Sequence, residues 1–226
     1  MVTLTYFGHA AFQLDINGYT ILVDPFLKGN PFAPIAPEEA RADFILVTHG
    51  HSDHVGDSIA IAKRTGAVVI SNAEICSWLR SQGIKTHAQH LGGGHQHPFG
   101  YVKMTAALHG SPLPDGGYGG NPGGFLIRTQ EDKHIYFAGD TGLFGDMRLI
   151  GEDGLDLAVL PIGDNYTMGP DDALKAVKLL NPQRVVPMHY DTFDIIQQDV
   201  QLWARRVESE TSASVVILKP GQYLAL

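Results

Sequence analysis

A histidine-rich segment directly after an apolar run is the feature that most limits how this chain can fold. Residues 44–47 are all apolar, as is typical of a buried strand, and the spacing HxHxDH follows at His49, His51, Asp53 and His54. Because side chains alternate along an extended chain, His49 and His51 point the same way. A turn then brings Asp53 and His54 in from another side. The segment predicts two adjacent sites for zinc, iron or manganese.

The order of predicted elements repeats along the chain. A hairpin is predicted around Asn17-Gly18, the strongest two-residue hairpin signal, and it ends at Asp24. A second predicted hairpin ends at Asp140, and each half continues with a buried strand, a helix and a further strand. Two such halves would pack sheet against sheet with their helices outside, as a four-layer α/β/β/α sandwich. We therefore expect one domain over residues 1–226 with pseudo-duplicated halves.

Three further segments carry specific expectations. A helix is predicted over residues 55–64. Residues 86–100 resemble a second metal site, but their spacing fits no compact ligand set, and three adjacent glycines favour a mobile turn. We expect His90 of this segment to approach the active site, and His95 and His97 to be solvated. Residues 111–124 are rich in glycine and proline, and loops of this length tend to be lids or substrate loops.

Several short motifs accompany the histidine-rich segment. They are Gly8-His9-Ala10-Ala11-Phe12, Asp24-Pro25-Phe26, Ala138-Gly139-Asp140-Thr141, Pro161-Ile162-Gly163-Asp164 and Met188-His189-Tyr190. Together they resemble the metallo-β-lactamase-fold hydrolases, and within them a branch of metal-dependent hydrolases related to the ascorbate phosphate lactonases. The resemblance runs from about residue 6 to about residue 195. It implies the same four-layer sandwich, with a metal site at the edge where strands of both halves end.

The resemblance also implies seven metal ligands from four separate segments. They are His49, His51 and His109 for a first ion, Asp53, His54 and His189 for a second, and Asp140 as a bridge. The expected cofactors are therefore two divalent transition-metal ions, with zinc favoured over manganese or iron. Two cations about 3.5–4 Å apart can share one hydroxide and aim it at an electrophile. Asp53 and Asp140 are the expected catalytic residues, as proton carrier and as the charge that offsets metal repulsion.

Several neighbouring residues have two interpretations each. Asp24 either accepts a hydrogen bond from a ligand histidine or is a turn aspartate before a proline. His9 either faces the site or is a satisfied structural histidine. Tyr190 either contacts substrate or packs. The loop that contains Asp164, Asn165, Tyr166 and Met168 is expected to border the pocket opening.

Composition narrows the classes of function. The net charge of −8 argues against general nucleic-acid or anionic-membrane binding, which require a basic face. The single cysteine, Cys76, excludes an internal disulfide. Without a predicted signal peptide or membrane span, the expected location is the cytoplasm. A homo-oligomer remains open.

The expected function is hydrolysis of a small-molecule ester, lactone or phosphodiester. Three alternatives are an RNA-processing nuclease of the same superfamily, a di-iron oxidoreductase and a non-catalytic metal-binding module. The net negative charge of the chain argues against the nuclease, which would need a basic surface to bind RNA. The oxidoreductase would require a flavin partner or an appended domain, for which 226 residues leave no room.

Overall fold

The computed structural model describes residues 2–152 and 154–226, and this part of the chain contains fourteen strands in two sheets. In chain order the strands are β1 (Val2–Tyr6), β2 (Phe12–Ile16), β3 (Tyr19–Val23), β4 (Phe44–Leu46), β5 (Val68–Asn72), β6 (Thr86–Gln89), β7 (Gly94–His97), β8 (Gly100–Ala106), β9 (Gly123–Thr129), β10 (His134–Phe137), β11 (Leu157–Pro161), β12 (Arg184–Met188), β13 (Ser214–Val215) and β14 (Tyr223–Ala225).

The two sheets follow the same plan. The first has the order β14-β1-β2-β3-β4-β5-β6, and the second has the order β13-β12-β11-β10-β9-β8-β7. In the first sheet β1 to β3 are antiparallel and β3 to β6 are parallel, with Val23 opposite Leu46 and Leu46 opposite Ile70. In the second sheet β7 to β10 are antiparallel and β10 to β13 are parallel. The predicted duplication is therefore present in the strand topology.

Six α-helices lie outside the sheets in the described ranges: α1 (Ser52–Val55), α2 (Ser58–Thr65), α3 (Ala73–Ser81), α4 (Met147–Gly151), α5 (Pro170–Leu180) and α6 (Val200–Glu210). A short 3-10 helix spans Asp194–Ile196. The helix predicted over 55–64 is present as α2, but it begins at Ser58 rather than at residue 55, because Gly56 adopts a positive φ of 48° and separates α1 from α2. None of the helices described is long and apolar enough to cross a bilayer.

Buried side chains form three apolar layers. The central layer lies between the sheets, where the Phe12 and Phe137 rings meet edge to face at 5.7 Å. Such an aromatic pair contributes about 0.5–1.5 kcal/mol beyond its buried area. A second layer joins the second sheet to α4, α5 and α6 around Trp203, and a third joins the first sheet to α1, α2 and α3 around Ile45. The order helix, sheet, sheet, helix is the predicted four-layer α/β/β/α sandwich.

The prediction of a mobile turn over residues 86–100 is wrong for most of the segment. The segment forms β6 and β7, which are edge strands of different sheets. His97 is buried rather than solvated, and burial lowers its pKa to about 4. His95 is exposed as expected. His90 is also exposed, in the turn between the strands, and it is not among the residues that line the cavity described below.

Candidate metal centre

Polar side chains collect at one edge of the sandwich, where strands of both sheets end. His49 and His51 follow β4, Asp140 follows β10 and His189 follows β12, while Asp53 and His54 are in the first turn of α1. His109 lies three residues beyond β8, which runs parallel to β10 through their shared neighbour β9. The seven residues that the resemblance assigned as ligands are therefore brought together by the fold.

The first histidine group contains His49, His51 and His109. His51 Nδ1 lies 2.9 Å from His49 Nε2 and 3.2 Å from His109 Nε2. One ring nitrogen from each of the three falls within 4.8 Å of the others. Burial lowers the pKa of all three imidazoles. Neutral imidazoles that converge in this way suit a borderline cation such as zinc.

The second group contains Asp53, His54 and His189, together with His9. One possible ligand atom from each of these four residues lies within 4.8 Å of the others. Asp53 Oδ2 is 4.0 Å from His54 Nε2 and 3.9 Å from His189 Nε2. A carboxylate and imidazoles are ordinary ligands of a divalent transition metal.

Asp140 lies between the two groups. Its Oδ2 atom is 3.6 Å from His109 Nε2 in the first group, and 3.3 Å and 3.0 Å from His54 Nε2 and His189 Nε2 in the second. Burial would raise the pKa of Asp140, but the His189 and His54 rings hold it well below its usual value. Asp140 is therefore a buried carboxylate in the position that a bridging ligand would take.

Unsatisfied polar atoms test whether this arrangement fits metal ions. Within the described residues, four buried atoms of this centre have no hydrogen-bond partner: His54 Nε2, Asp140 Oδ1, His189 Nδ1 and His189 Nε2. The two Nε2 atoms face Asp140 Oδ2, but neither contact has the geometry of a hydrogen bond. An unsatisfied buried polar group costs about 1–3 kcal/mol, and coordination to a metal ion would offset that cost for several atoms of this cluster at once. The donor set fits divalent transition-metal ions.

Asp24 resolves one of the open alternatives. Its Oδ1 accepts the backbone amide of Thr48 at 2.8 Å, its Oδ2 accepts the Thr48 hydroxyl at 2.6 Å, and Oδ2 lies 2.8 Å from His54 Nδ1. Burial disfavours a charged His54, but Asp140 and Asp24 raise its pKa well above the usual value. The two carboxylates therefore favour a positive charge beside His54. Because Asp24 contacts Nδ1 of the His54 ring, Nε2 remains available to a cation, and Asp24 is the partner of a proposed ligand histidine rather than only a turn aspartate.

Thr48 contacts this centre, although the sequence analysis did not single it out. Its hydroxyl donates to Asp24 and lies 3.0 Å from His49 Nδ1. In the tautomer that satisfies this network, His49 Nδ1–H donates to Thr48, and Nε2 stays available in the first group. The position of Thr48 directly before the motif is the signal that could have identified it.

The cavity at this centre has a volume of about 200 Å³ and is lined by His51, Asp53, His109, Asp140, Tyr166 and His189. Tyr166 is 56% exposed, as expected for a residue at the opening. Met168 is buried in the layer around Trp203, so the expectation that it borders the opening is wrong. Asp164 is in a turn at φ 63°, where its carboxylate accepts the Asn165 amide.

The segment 111–124 lies behind the histidine-rich motif rather than among the residues that line the cavity. The Gly50 amide donates to Ser111 Oγ at 3.0 Å. A Cβ at Gly50 would lie 2.7 Å from Pro112 O, so only glycine allows this approach. The expected lid is therefore a support for the motif. Tyr190 is buried in the layer around Trp203, and burial raises its pKa to about 12, which favours its packing role.

Comparison with known proteins agrees with this geometry. A family profile described as "Beta-lactamase superfamily domain" matches residues 19–190. A UPF0173 metal-dependent hydrolase of Desulforamulus reducens is 50% identical over 228 residues, which cover 99% of each chain. Another, of Thermus thermophilus, is 50% identical over 226 residues and the full length of both chains. The chain belongs to the UPF0173 metal-dependent hydrolases of the β-lactamase superfamily.

A solved structure supports the fold of this UPF0173 member. Igni18, described as a novel metallo hydrolase from the archaeon Ignicoccus hospitalis, superimposes with a TM-score of 0.90 at 39% identity. The match covers 99% of this chain and 97% of Igni18. The metallo-β-lactamase fold expected from the short motifs is therefore confirmed.

His9 and Thr192 are further parts of this UPF0173 site. His9 Nε2 lies 3.1 Å from Asp53 Oδ2, and His9 Nδ1 lies 2.9 Å from Thr192 Oγ1. The His9 carbonyl accepts the His189 amide at 2.9 Å, and these two histidines have φ values of 58° and 55°. Left-handed non-glycine residues cost about 1–3 kcal/mol each and cluster at functional sites. Thr192 was missed because no local motif surrounds it.

Proposed function

We propose that this chain is a binuclear metal-dependent hydrolase of small, uncharged esters or lactones. The observation that carries this proposal is the position of Asp140, whose Oδ2 lies within 3.6 Å of ring nitrogens from both groups. The proposed ligands are His49, His51 and His109 for one ion, Asp53, His54 and His189 for the other, and Asp140 for both. Zinc is the proposed metal because imidazole and carboxylate ligands suit it, with manganese or iron as alternatives.

Each proposed ligand has a role that follows from its surroundings. Divalent ions, when bound here, would polarise a substrate oxygen and lower the pKa of water. Asp140 supplies the negative charge that makes two close cations tolerable. Asp53 lines the cavity with 30% of its side chain exposed, so it is open to proton exchange with solvent. Burial would raise the pKa of this carboxyl, but the contact with His9 holds it well below its usual value, so Asp53 is an anion until a substrate or a bound water supplies a proton. Asp24, Thr48 and His9 hold their partners in orientation and contact no substrate.

The cavity supports the choice of substrate class. Its volume of about 200 Å³ is below the roughly 300–1,000 Å³ of sites for drug-sized ligands, so a small substrate fits best. None of its six lining residues is lysine or arginine, so side chains supply no fixed positive charge for a second anionic group. Tyr166 offers an aromatic surface at the opening. These features favour a neutral ester or lactone over a phosphodiester.

The test combines metal analysis with a substrate panel. Protein is purified without added metal, and its metal content is measured by elemental analysis both before and after dialysis against low, buffered free zinc. Matched ester, lactone and phosphodiester substrates are then assayed with the metal found. We expect two ions per chain and turnover of an ester or lactone that a chelator abolishes and zinc restores.

Three outcomes would contradict parts of the proposal. One ion per chain at full activity would exclude the binuclear arrangement. Turnover confined to phosphodiesters would show that the substrate class is wrong. Tight metal binding without turnover of any member of the panel would favour the non-catalytic alternative.

A further inference from the structure

A second cluster of histidines lies where the edge strands of the two sheets face each other. His95 and His97 are two residues apart on β7, so their side chains share a face, and Val102, the partner of His95 in register, belongs to the central apolar layer. His87 extends toward them from β6, in the other sheet. Ring centroids are separated by 4.3 Å between His87 and His95, 4.9 Å between His87 and His97, and 4.8 Å between His95 and His97.

These separations match those of the first group at the metal centre. There the ring centroids of His49, His51 and His109 are 4.7, 5.1 and 5.0 Å apart. Both groups also have the same composition, a His-x-His pair on one segment and a third histidine from a distant one. The cluster on β6 and β7 therefore matches the first group in ring-centroid spacing, and its ring nitrogens share one ion once the rings turn toward it.

One buried nitrogen in the cluster is left without a partner. His97 is only 6% exposed, and within the described residues its Nε2 atom has no hydrogen-bond partner. The His97 ring packs against Phe99, stacked at 5.4 Å, and against Phe44 at 5.9 Å. An unsatisfied buried nitrogen in apolar surroundings costs about 1–3 kcal/mol, and coordination to a metal would offset that cost.

The solvent exposure of the three histidines increases from His97 to His95, which leaves a path by which an ion could enter the cluster. His97 is buried, His87 is half-buried and His95 is exposed. The His87 and His95 planes are tilted by 35°. His95 is exposed, so a turn of its ring would bring a nitrogen toward a shared ion without moving buried side chains. An ion could thus enter from solvent past His95, with water completing the coordination.

We propose that His87, His95 and His97 form a separate mononuclear site for a borderline divalent cation, with zinc as the best fit. Three imidazoles select zinc, nickel or copper over magnesium and calcium, which prefer oxygen ligands. A bound ion would join β6 of the first sheet to β7 of the second, and would close the open edge of the sandwich. Because His95 is exposed and must be ordered when an ion binds, we expect this site to bind zinc more weakly than the largely buried centre around Asp140.

The experiment counts zinc on the full-length protein. Wild type, His95→Ala and His90→Ala are dialysed against zinc buffered at two free concentrations, a low one that fills only the centre around Asp140 and a higher one. His90 is the matched control because it is an exposed histidine of the same turn that lies outside the cluster. At the higher concentration we expect one additional equivalent on wild type and on His90→Ala, and none on His95→Ala.

Thermal unfolding supplies a second readout, because an ion that binds only the folded state raises its stability. The Tm of wild type should rise further between the two zinc concentrations, whereas the Tm of His95→Ala should not. His87→Gln should behave as His95→Ala does and keeps the test decisive if one variant folds poorly. Equal zinc content in wild type and both cluster variants would overturn the proposal, and so would an equal loss in His90→Ala.

Discussion

His9 Nε2 lies 3.1 Å from Asp53 Oδ2, so a residue just beyond the first strand orients a side chain of the metal motif 44 positions later. Thr192 holds the other His9 nitrogen at 2.9 Å. The Thr192–His9–Asp53 chain parallels the contact of Asp24 with His54, the next residue of the motif. In both cases a buried partner sets the direction of a proposed ligand.

Replacing His9 should weaken the site without removing a proposed ligand. His9→Asn shortens the side chain and leaves Asp53 without its partner, and loss of such a contact typically lowers metal affinity or activity by about 10–100-fold. Zinc titration and kcat/KM on the best substrate of the panel measure the effect. Thr192→Ser keeps the hydroxyl and should stay close to wild type, while Thr192→Val should shift both quantities in the direction of His9→Asn. Wild-type values in His9→Asn would remove His9 from the site.

Asp140→Asn tests the bridge. Asparagine keeps the shape but loses the charge, and it replaces one oxygen with an NH₂ group that does not coordinate a metal. We expect a folded protein that binds at least one ion more weakly and loses about a hundred- to a thousand-fold in rate, which corresponds to roughly 3–4 kcal/mol. Ser52→Ala, at an exposed position beside the ligands, is the control and should remain active. Near-normal turnover and metal content in Asp140→Asn would contradict the binuclear mechanism.

His189→Ala separates the two groups. His189 Nε2 lies 3.9 Å from Asp53 and 3.0 Å from Asp140, and none of the contacts described places it against His49 or His51. We expect loss of metal chiefly from the second group, measured as a fall from two ions toward one at low free zinc. If the variant keeps two tightly bound ions, His189 is not a ligand.

Substitutions of Tyr166 and Met168 should have different effects, although the two residues are close in sequence. Tyr166 lines the cavity and is exposed, so Tyr166→Ala should change the ratio of kcat/KM between large and small substrates and leave metal content unchanged. Met168 is buried in the core, so Met168→Ala should lower the free energy of unfolding by about 2–5 kcal/mol. Denaturant unfolding and the substrate panel measure the two effects. An unchanged substrate ratio in Tyr166→Ala would exclude this loop from the site.

Much of the fold was predictable because its signals are local. The Asn17-Gly18 hairpin, the apolar run before His49 and the spacing of the HxHxDH motif each depend on residues a few positions apart. Strand periodicity is a property of neighbouring residues, so the sheets and their duplicated order followed from it. One failure was local as well, whereas the wrong placements of Met168 and His97 depended on packing between distant segments. The division of the predicted helix at Gly56 depends on one backbone conformation. Glycine permits that conformation, but a glycine in the sequence does not show that it is adopted.

The sequence by itself determined which residues could bind metal and that they follow strands, because ligand chemistry and strand ends are visible in residue types and their spacing. Only the tertiary structure decided which partner orients each of them. Thr192 meets His9 across 183 positions of the chain, and the facing edges of two sheets bring His87 to His95 and His97. The physical reason is that such contacts form only when the two halves pack, and packing joins residues whose separation along the chain carries no periodic signal.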